Sequence, residues 1–358
     1  MTSMQTLSRK QIVICVTGSI AAVEVVKLIH TLRRHGAVVQ PVMSPAATGI
    51  INPDSLTYAS GRETITRLSG QVEHILWCGD EGCADLLLIA PCTANTISKI
   101  ACGIDDTPVT TFATTAIGSR KPVVLVPAMH HSMYRHPAVT DNLAHLKEWG
   151  VEIVDPRLDE GKAKIADNEE IVLRCERAVM GKALSGQKIL ITSGPCQEPV
   201  DDIRILTTRS SGQMGRALAL QAYRLGADVT VVHQDTFPCV NNIFAETSDD
   251  MRRAVHRCFS EKGADIYMSA AAISDFAPEK VKGKIPSGNS IHLVLEPLPK
   301  LLAEVMEKYH PLTIAFKLGD SSGAVAKMMI NQGAAMVLTN ELETMGSALG
   351  RYVLVTRD

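Results

Sequence analysis

Small-residue turns, a few histidines and a lysine cluster carry the chemistry legible in this chain. A GSIAAVE run (18–24) follows an apolar stretch and opens a helical one. Gly18, Ser19 and Ile20 therefore present backbone N–H groups at a helix N-terminus, a place suited to a phosphate. Taken alone, such a turn is equally an ordinary strand-to-helix connection. It lacks G-x-G-x-x-G, and ADLLLIAP (84–91) carries no acidic residue where a ribose would be held, so a dinucleotide site is poorly supported. Four further segments join it: SPAATGII (44–51) with Ser44, His74 in VEHILW, APCTANTISKIACGIDD (90–106), and PAMHHSMYRHP (127–137). In the second half, SSGQMG (210–215) combines small residues that let a backbone approach phosphates with Gly215 leading into a helix. Lysines 280, 282 and 284 form either a solvated mobile loop or a cationic lid.

The elements that must position these residues repeat one grammar. QIVICVTG, a helix from Ile20 to Arg34 and AVVQPVMS make a βαβ opening; ADLLLIAP, PVVLVPAM and VEIVDP (151–156) continue it, with helical patterns between them. That alternation predicts a parallel, doubly wound sheet whose carboxyl edge gathers the four segments, His74 included. DNEEIVLRCERAVMGKAL reads as a closing helix, and KILITSG starts afresh after SGQ (185–187). The boundary falls near residue 184, giving domains 1–184 and 185–358. ADVTVVH, ADIYMSAAA, LTIAFKLG and AAMVLTN with their helices make the second domain α/β as well, and RYVLVTRD is expected to trail shortly after its last strand.

Composition agrees. A chain of 358 residues exceeds one core, and 46% hydrophobic with 4% aromatic content suits parallel sheets of aliphatic side chains. Thirty-six basic against 38 acidic residues give a net charge of −2, so no global field draws the protein to nucleic acid or to a membrane. No apolar run reaches the roughly 20 residues of a bilayer span, and a cytoplasmic protein is expected. Nine scattered cysteines, mostly within apolar runs, argue against a disulfide framework. Cys78 and Cys83 lack a second pair, which favours reduced thiols over a zinc site.

Together these motifs resemble a known family. Residues 11–180 resemble flavin-dependent cysteine decarboxylases, which carry a GxIAAYK-like turn, an active-site His, an APATANTI-like segment and PAMNxxMW. The resemblance implies FMN held by Gly18, Ser19, Ile20, Ser44, Pro91, Thr93, Ala94 and Asn95, with His74 as catalytic base. The pattern's carboxylate-fixing asparagine is His130 here, its tryptophan is Tyr134, and its proton-donating cysteine falls at Lys164 in EGKAKIA (160–166). These forms match the family's archaeal-like branch. The segment 188–219, KILITSGPCQEPVDDIRILTTRSSGQMGRALA, resembles ITAGGTxEPxDPVRxIxNxSSGKMG of phosphopantothenate–cysteine ligases. It implies nucleotide contacts at Ser211, Gly212, Met214, Gly215, Asp275, Lys280, Phe316 and Asn340, with Arg204, Thr208 and Lys280 catalytic; Thr208 stands at the pattern's asparagine.

The resemblance as a whole is to the bifunctional phosphopantothenoylcysteine decarboxylase / phosphopantothenate–cysteine ligases of coenzyme A biosynthesis. It implies two Rossmann-like α/β domains, the first flavodoxin-like. It further implies phosphopantothenate, cysteine and CTP or ATP as substrates, Mg²⁺ with unassigned ligands, and a homo-oligomer of trimeric flavoprotein and dimeric ligase contacts, a dodecamer being the assembly that would hold both. The departures at His130, Lys164 and Thr208 motivate an alternative, a family flavoprotein that has lost one or both activities and serves as a binding or regulatory subunit. A nicotinamide-dependent reductase has only the fold class in its favour.

Overall fold

In a computed structural model covering residues 5–159, 162–180, 182–288, 290–319, 323–341, 343 and 350–357, the chain divides into two units, Met1–Gly181 and Lys182–Asp358. The first is built from β1 (Gln11–Val16), α1 (Val25–Arg34), β2 (Val38–Met43), α2 (Pro45–Thr48), α3 (Pro53–Ser60), α4 (Glu73–Cys78), β3 (Leu86–Cys92), α5 (Ala94–Ala101), α6 (Pro108–Gly118) and β4 (Val123–Pro127). It continues through β5 (Met129–His130), α7 (His131–Tyr134), α8 (Pro137–Glu148), β6 (Glu152–Ile153), β7 (Arg157–Asp159), β8 (Lys162–Lys164) and α9 (Asn168–Val179).

Its main sheet is parallel with order β2-β1-β3-β4-β6, the flavodoxin-like order. Side chains alternate across a strand, so each strand feeds two cores. Ile12, Ile14, Val16, Leu86 and Leu88 enter one hydrophobic cluster, and Val13, Cys15, Leu87 and Ile89 the other. Every residue of β3 is buried, as a central strand covered on both faces requires. Helix α1 closes one face with Val25, Leu28, Ile29 and Leu32, three to four residues apart. The expected helix from Ile20 is 3₁₀ over Ile20–Glu24 and becomes α-helical at Val25.

The second unit contains β9 (Lys188–Thr192), β10 (Gln197–Pro199), β11 (Ile205–Thr207), α10 (Gln213–Arg224), β12 (Asp228–His233), β13 (Asn241–Phe244), α11 (Ser248–Glu261) and β14 (Ile266–Ser269). It ends with β15 (Phe276–Pro278), β16 (Leu295–Pro297), α12 (Leu301–Tyr309), β17 (Leu312–Leu318), α13 (Ala324–Asn331), β18 (Met336–Asn340) and β19 (Tyr352–Thr356). The seven-stranded order β13-β12-β9-β14-β17-β18-β19 is the doubly wound dinucleotide-fold order with one strand added. That added strand corrects two expectations: Tyr352–Thr356 is itself the edge strand rather than a tail, and it runs antiparallel to β18, so this sheet is mixed. Both halves are α/β with doubly wound sheets.

Candidate active sites at two strand-order switch points

In the first unit the strand order reverses between β1 and β3, and the crevice outside their carboxyl ends is where such sheets bind ligands. Thr17 laces this point together: its hydroxyl donates to Pro91 O at 2.7 Å and accepts from Thr93 N–H at 3.0 Å. Ser44 N–H donates to Val16 O at 3.0 Å, drawing in the end of β2. Each strand then enters a helical turn capped by a hydroxyl. Ser19 accepts from Ala21 N–H, Ser44 from Ala47 N–H and Thr93 from Thr96 N–H. None of the three first turns carries an acidic residue, so their dipoles favour an anion. Gly18 is required by close packing, because a Cβ there would lie 2.6 Å from Ala46 Cβ. Ile20, 77% exposed, and the exposed Asn95 stand at the same edge. Gly18, Ser19, Ile20, Ser44, Pro91, Thr93, Ala94 and Asn95 are thus brought to three neighbouring strand ends. Thr17 was missed from sequence, although its place beside the glycine turn at the end of an apolar strand was the available signal.

His74 departs from the expected place. It sits in the first turn of α4, not at a strand carboxyl end, because left-handed Val72 (φ 48°) turns the chain into that helix. Its ring meets Phe112 edge-on at 6.5 Å, and Nδ1 is buried without a hydrogen-bond partner among the described residues. Val72, Ile75 and Leu76 around it are 46%, 48% and 58% exposed. His130 is exposed, with Nδ1 3.3 Å from Ser132 Oγ. It lies on β5 of a three-stranded antiparallel sheet, order β5-β8-β7, where His130 pairs with position 162. Strand alternation puts His130 and Lys164 on one face of that sheet, 34 residues apart in sequence. Half-buried Tyr134 follows in α7; burial first, and then the Asp155 carboxylate, push its phenol upward. Cys78 is fully buried, and burial pushes its thiol to about 12, while Cys83 is exposed; among the described residues neither joins a group of three or more candidate metal ligands.

In the second unit the order reverses between β9 and β14. The loops leaving these strands meet at the bridge Pro195–Ala272, and Ala272 N–H donates to Gly194 O at 2.9 Å. Gly212, left-handed at φ 70°, starts α10 without a side-chain cap or an acidic first turn. A Cβ on Gly215 would come within 2.1 Å of Ser193 Oγ and 2.3 Å of Ser193 Cβ, so only glycine lets α10 lie against the end of β9. Ser211 and Met214 flank that turn. Thr208 follows the β10–β11 hairpin, and its Oγ1 is buried with no partner among the described residues.

Arg204 and Lys280, 76 residues apart, are joined by a hydrogen-bonded seam. Buried Asp201 accepts from Ile203 N–H at 2.8 Å, Arg204 N–H at 2.6 Å and Ile285 N–H at 3.0 Å, and pairs with the Arg204 guanidinium. Arg204 also donates to Ile285 O at 3.2 Å. Burial works against ionisation of Asp201, but these donors outweigh it and hold its carboxyl far below the usual range. Lys280 Nζ lies 2.8 Å from Asp202 Oδ1. Asp275, exposed on the loop after β14, pairs with Lys300. Phe316 on β17 and Asn340 at the end of β18 lie toward the carboxyl edge, where Leu318 pairs with Asn340. Asp201, Asp202, Ser193 and Lys300 were not singled out from sequence; Asp201 lies inside the recognised EPVDDIR motif.

Comparison with known proteins follows this division. The family model described as Flavoprotein matches residues 1–180, and that of the DNA/pantothenate metabolism flavoprotein C-terminal domain matches 184–356. The coenzyme A biosynthesis bifunctional protein CoaBC of Thermococcus kodakarensis is 44% identical over 369 residues, covering 100% of this chain and 91% of that relative. Its namesake from Methanocaldococcus jannaschii is 36% identical, covering 88% of this chain and 78% of the relative. A solved C-terminal domain of a CoaBC protein is 28% identical, with a TM-score of 0.39, over 49% of this chain and 88% of that one.

Proposed function

We infer the residue roles below from one premise: this chain belongs to the family of bifunctional coenzyme A biosynthesis proteins, a Flavoprotein domain followed by the DNA/pantothenate metabolism flavoprotein C-terminal domain. It is an enzyme of coenzyme A biosynthesis with ligase and decarboxylase activities. The reading as a binding or regulatory subunit gains no support from the relatives named above.

For the first unit the flavin is FMN, with its phosphate at the capped turns Gly18–Ile20, Ser44 and Thr93–Asn95. The supporting observation is their convergence on the β1/β3 switch point with no acidic side chain in any first turn. When bound, FMN supplies reversible two-electron chemistry at the substrate's cysteinyl thiol. His74 is the base for that thiol; its Nδ1, without a partner among the described residues, fits a ring that waits for a ligand or a neighbouring subunit. His130 donates to the substrate carboxylate, and Lys164, on the same sheet face, supplies a cation beside it.

For the second unit, cysteine is joined to 4'-phosphopantothenate after a nucleoside triphosphate activates the carboxylate. The uncapped N-terminus of α10 and Lys280 hold phosphates, with Mg²⁺ offsetting the remaining charge. Asp275 and Phe316 receive the ribose and base of CTP or ATP, and Asn340 closes that edge. Arg204 and the Thr208 hydroxyl address the acyl intermediate. A homo-oligomer with trimeric and dimeric contacts, up to a dodecamer, accords with the exposed apolar side chains around His74.

The convergence of candidate residues on two switch points carries this reading. Purified protein given phosphopantothenate, cysteine and either CTP or ATP, with carbon dioxide and pyrophosphate followed separately, tests it. Flavin absorbance and release of both products are expected; a colourless folded protein would overturn the first half, and no pyrophosphate with either nucleotide the second.

A further inference from the structure

The loop carrying Lys280 is fastened to the EPVDDIR segment at three successive residues. Val281 N–H donates to Val200 O at 3.0 Å, and Ile285 N–H to Asp201. Between them, Asp202 makes a closed set of contacts: its N–H donates to Gly283 O at 3.2 Å, its Oδ2 accepts from Gly283 N–H at 2.9 Å, and its Oδ1 holds the Lys280 ammonium at 2.8 Å. Position 202 is where the ligase pattern EPxDPVR has its second proline. Proline has neither the N–H nor the carboxylate, so a chain with proline at this position makes none of the three contacts.

An ion pair half exposed on both sides (51% and 50%) adds little to folding stability. Its location is more telling than its strength, because it engages the lysine assigned above to the nucleotide phosphates. We propose that Asp202 is an internal counter-ion that occupies Lys280 in the nucleotide-free enzyme and yields it to the triphosphate, thereby setting nucleotide affinity. The proposal rests on the reading of Lys280 as a phosphate ligand. An incoming triphosphate must break the Lys280–Asp202 pair, and the released carboxylate then faces a polyanion. Binding is weaker than the same loop would give without that charge. The N–H bond to Gly283 O and the Oδ2 bond from Gly283 N–H remain, so the loop stays docked while its lysine changes partner. Asp202 is thus a positioning residue that acts through Lys280 and leaves the chemical step alone.

Asp202→Asn tests this, since an amide oxygen still accepts from Gly283 while the charge is gone. In the full-length protein, titration with CTP and with ATP should show a dissociation constant lowered roughly two- to fivefold, the scale of one exposed pair. The nucleotide KM for pyrophosphate release should fall in proportion while kcat stays unchanged. Hydrogen exchange at the Gly283 and Ile285 amides should stay slow, showing the loop still docked. Lys280→Gln, measured alongside, separates the two levels of the argument. If it weakens nucleotide binding while Asp202→Asn leaves affinity unchanged or lowers it, the counter-ion role is overturned. If Lys280→Gln itself leaves affinity unchanged, the phosphate reading beneath it fails instead. Should the Asn variant fail to melt cooperatively, Asp202→Ser, which removes the charge and keeps the N–H bond to Gly283 O, carries the same comparison with the same two outcomes.

Discussion

Thr208 and His74 each hold a buried polar atom without a hydrogen-bond partner among the described residues, and each yields an opposed pair of measurements. The Thr208 hydroxyl is buried without a hydrogen-bond partner among the described residues, a situation that costs about 1–3 kcal/mol. Thr208→Val removes that penalty, so the melting temperature should rise while pyrophosphate release in the presence of cysteine slows; Thr208→Asn should keep or raise the ligation rate. A Val variant with full ligation would show that the hydroxyl does not meet the acyl intermediate. For His74, replacement by Asn should retain flavin absorbance and lower carbon dioxide release by about 10²-fold or more, the usual scale for removing a general base. Near-normal release would move the base to His130 or His131. Asp201 makes a pH prediction. Its carboxyl is depressed in the folded state, so the stability it contributes is complete above the unfolded value of about 3.9 and is lost as pH falls through the folded value. Acid unfolding followed by circular dichroism should therefore show a weaker pH dependence below about pH 4 in Asp201→Asn than in the native chain.

At the level of elements, the ligase half depends on how closely α10 approaches β9. A methyl group at position 215 overlaps both side-chain atoms of Ser193 and lies 3.1 Å from its Cα, so the helix must move. Gly215→Ala should destabilise the protein by roughly 1–3 kcal/mol, the range for overpacking, and lower nucleotide affinity. Adding Ser193→Gly removes the overlapping atoms and should restore much of the stability. Denaturant unfolding of both variants checks this, and equal stability of Gly215→Ala and the native chain would count against the tight helix–strand contact. The hairpin β7–β8 shows a different use of an element. By pairing with β5 it puts Lys164 on the face that carries His130, which neither segment reaches alone.

On the scale of the molecule, each unit owns its hydrophobic clusters: two lie within the first and others within the second. A fragment of residues 1–184 should therefore fold without its partner and copurify with FMN, since every proposed flavin contact lies inside it. Absorbance near the flavin bands is the readout, and a folded but colourless fragment would contradict the assignment. Among the described residues no helix is long and apolar enough to cross a membrane.

The sequence by itself determined what is local and periodic. Apolar runs such as QIVICV and LLLIA, flanked by amphipathic helices, specified strands buried on both faces, and the glycine and hydroxyl residues at their ends marked capped turns proposed to receive phosphate, because burial pattern and capping depend on neighbours a few residues away. It determined the family through motif order, and with it the two chemistries. Only the tertiary structure decided which distant residues share a surface. Strand order placed the β1 and β3 turns side by side, sheet pairing brought His130 to Lys164, and the seam from Val200 to Ile285 joined Arg204, Asp202 and Lys280. His74 shows the limit clearly: its motif was legible, yet one left-handed residue at Val72 turned an expected strand end into a helix. The terminal RYVLVT run became an antiparallel edge strand for a similar reason, since pairing direction is set by the neighbour a strand finds, not by its own side chains.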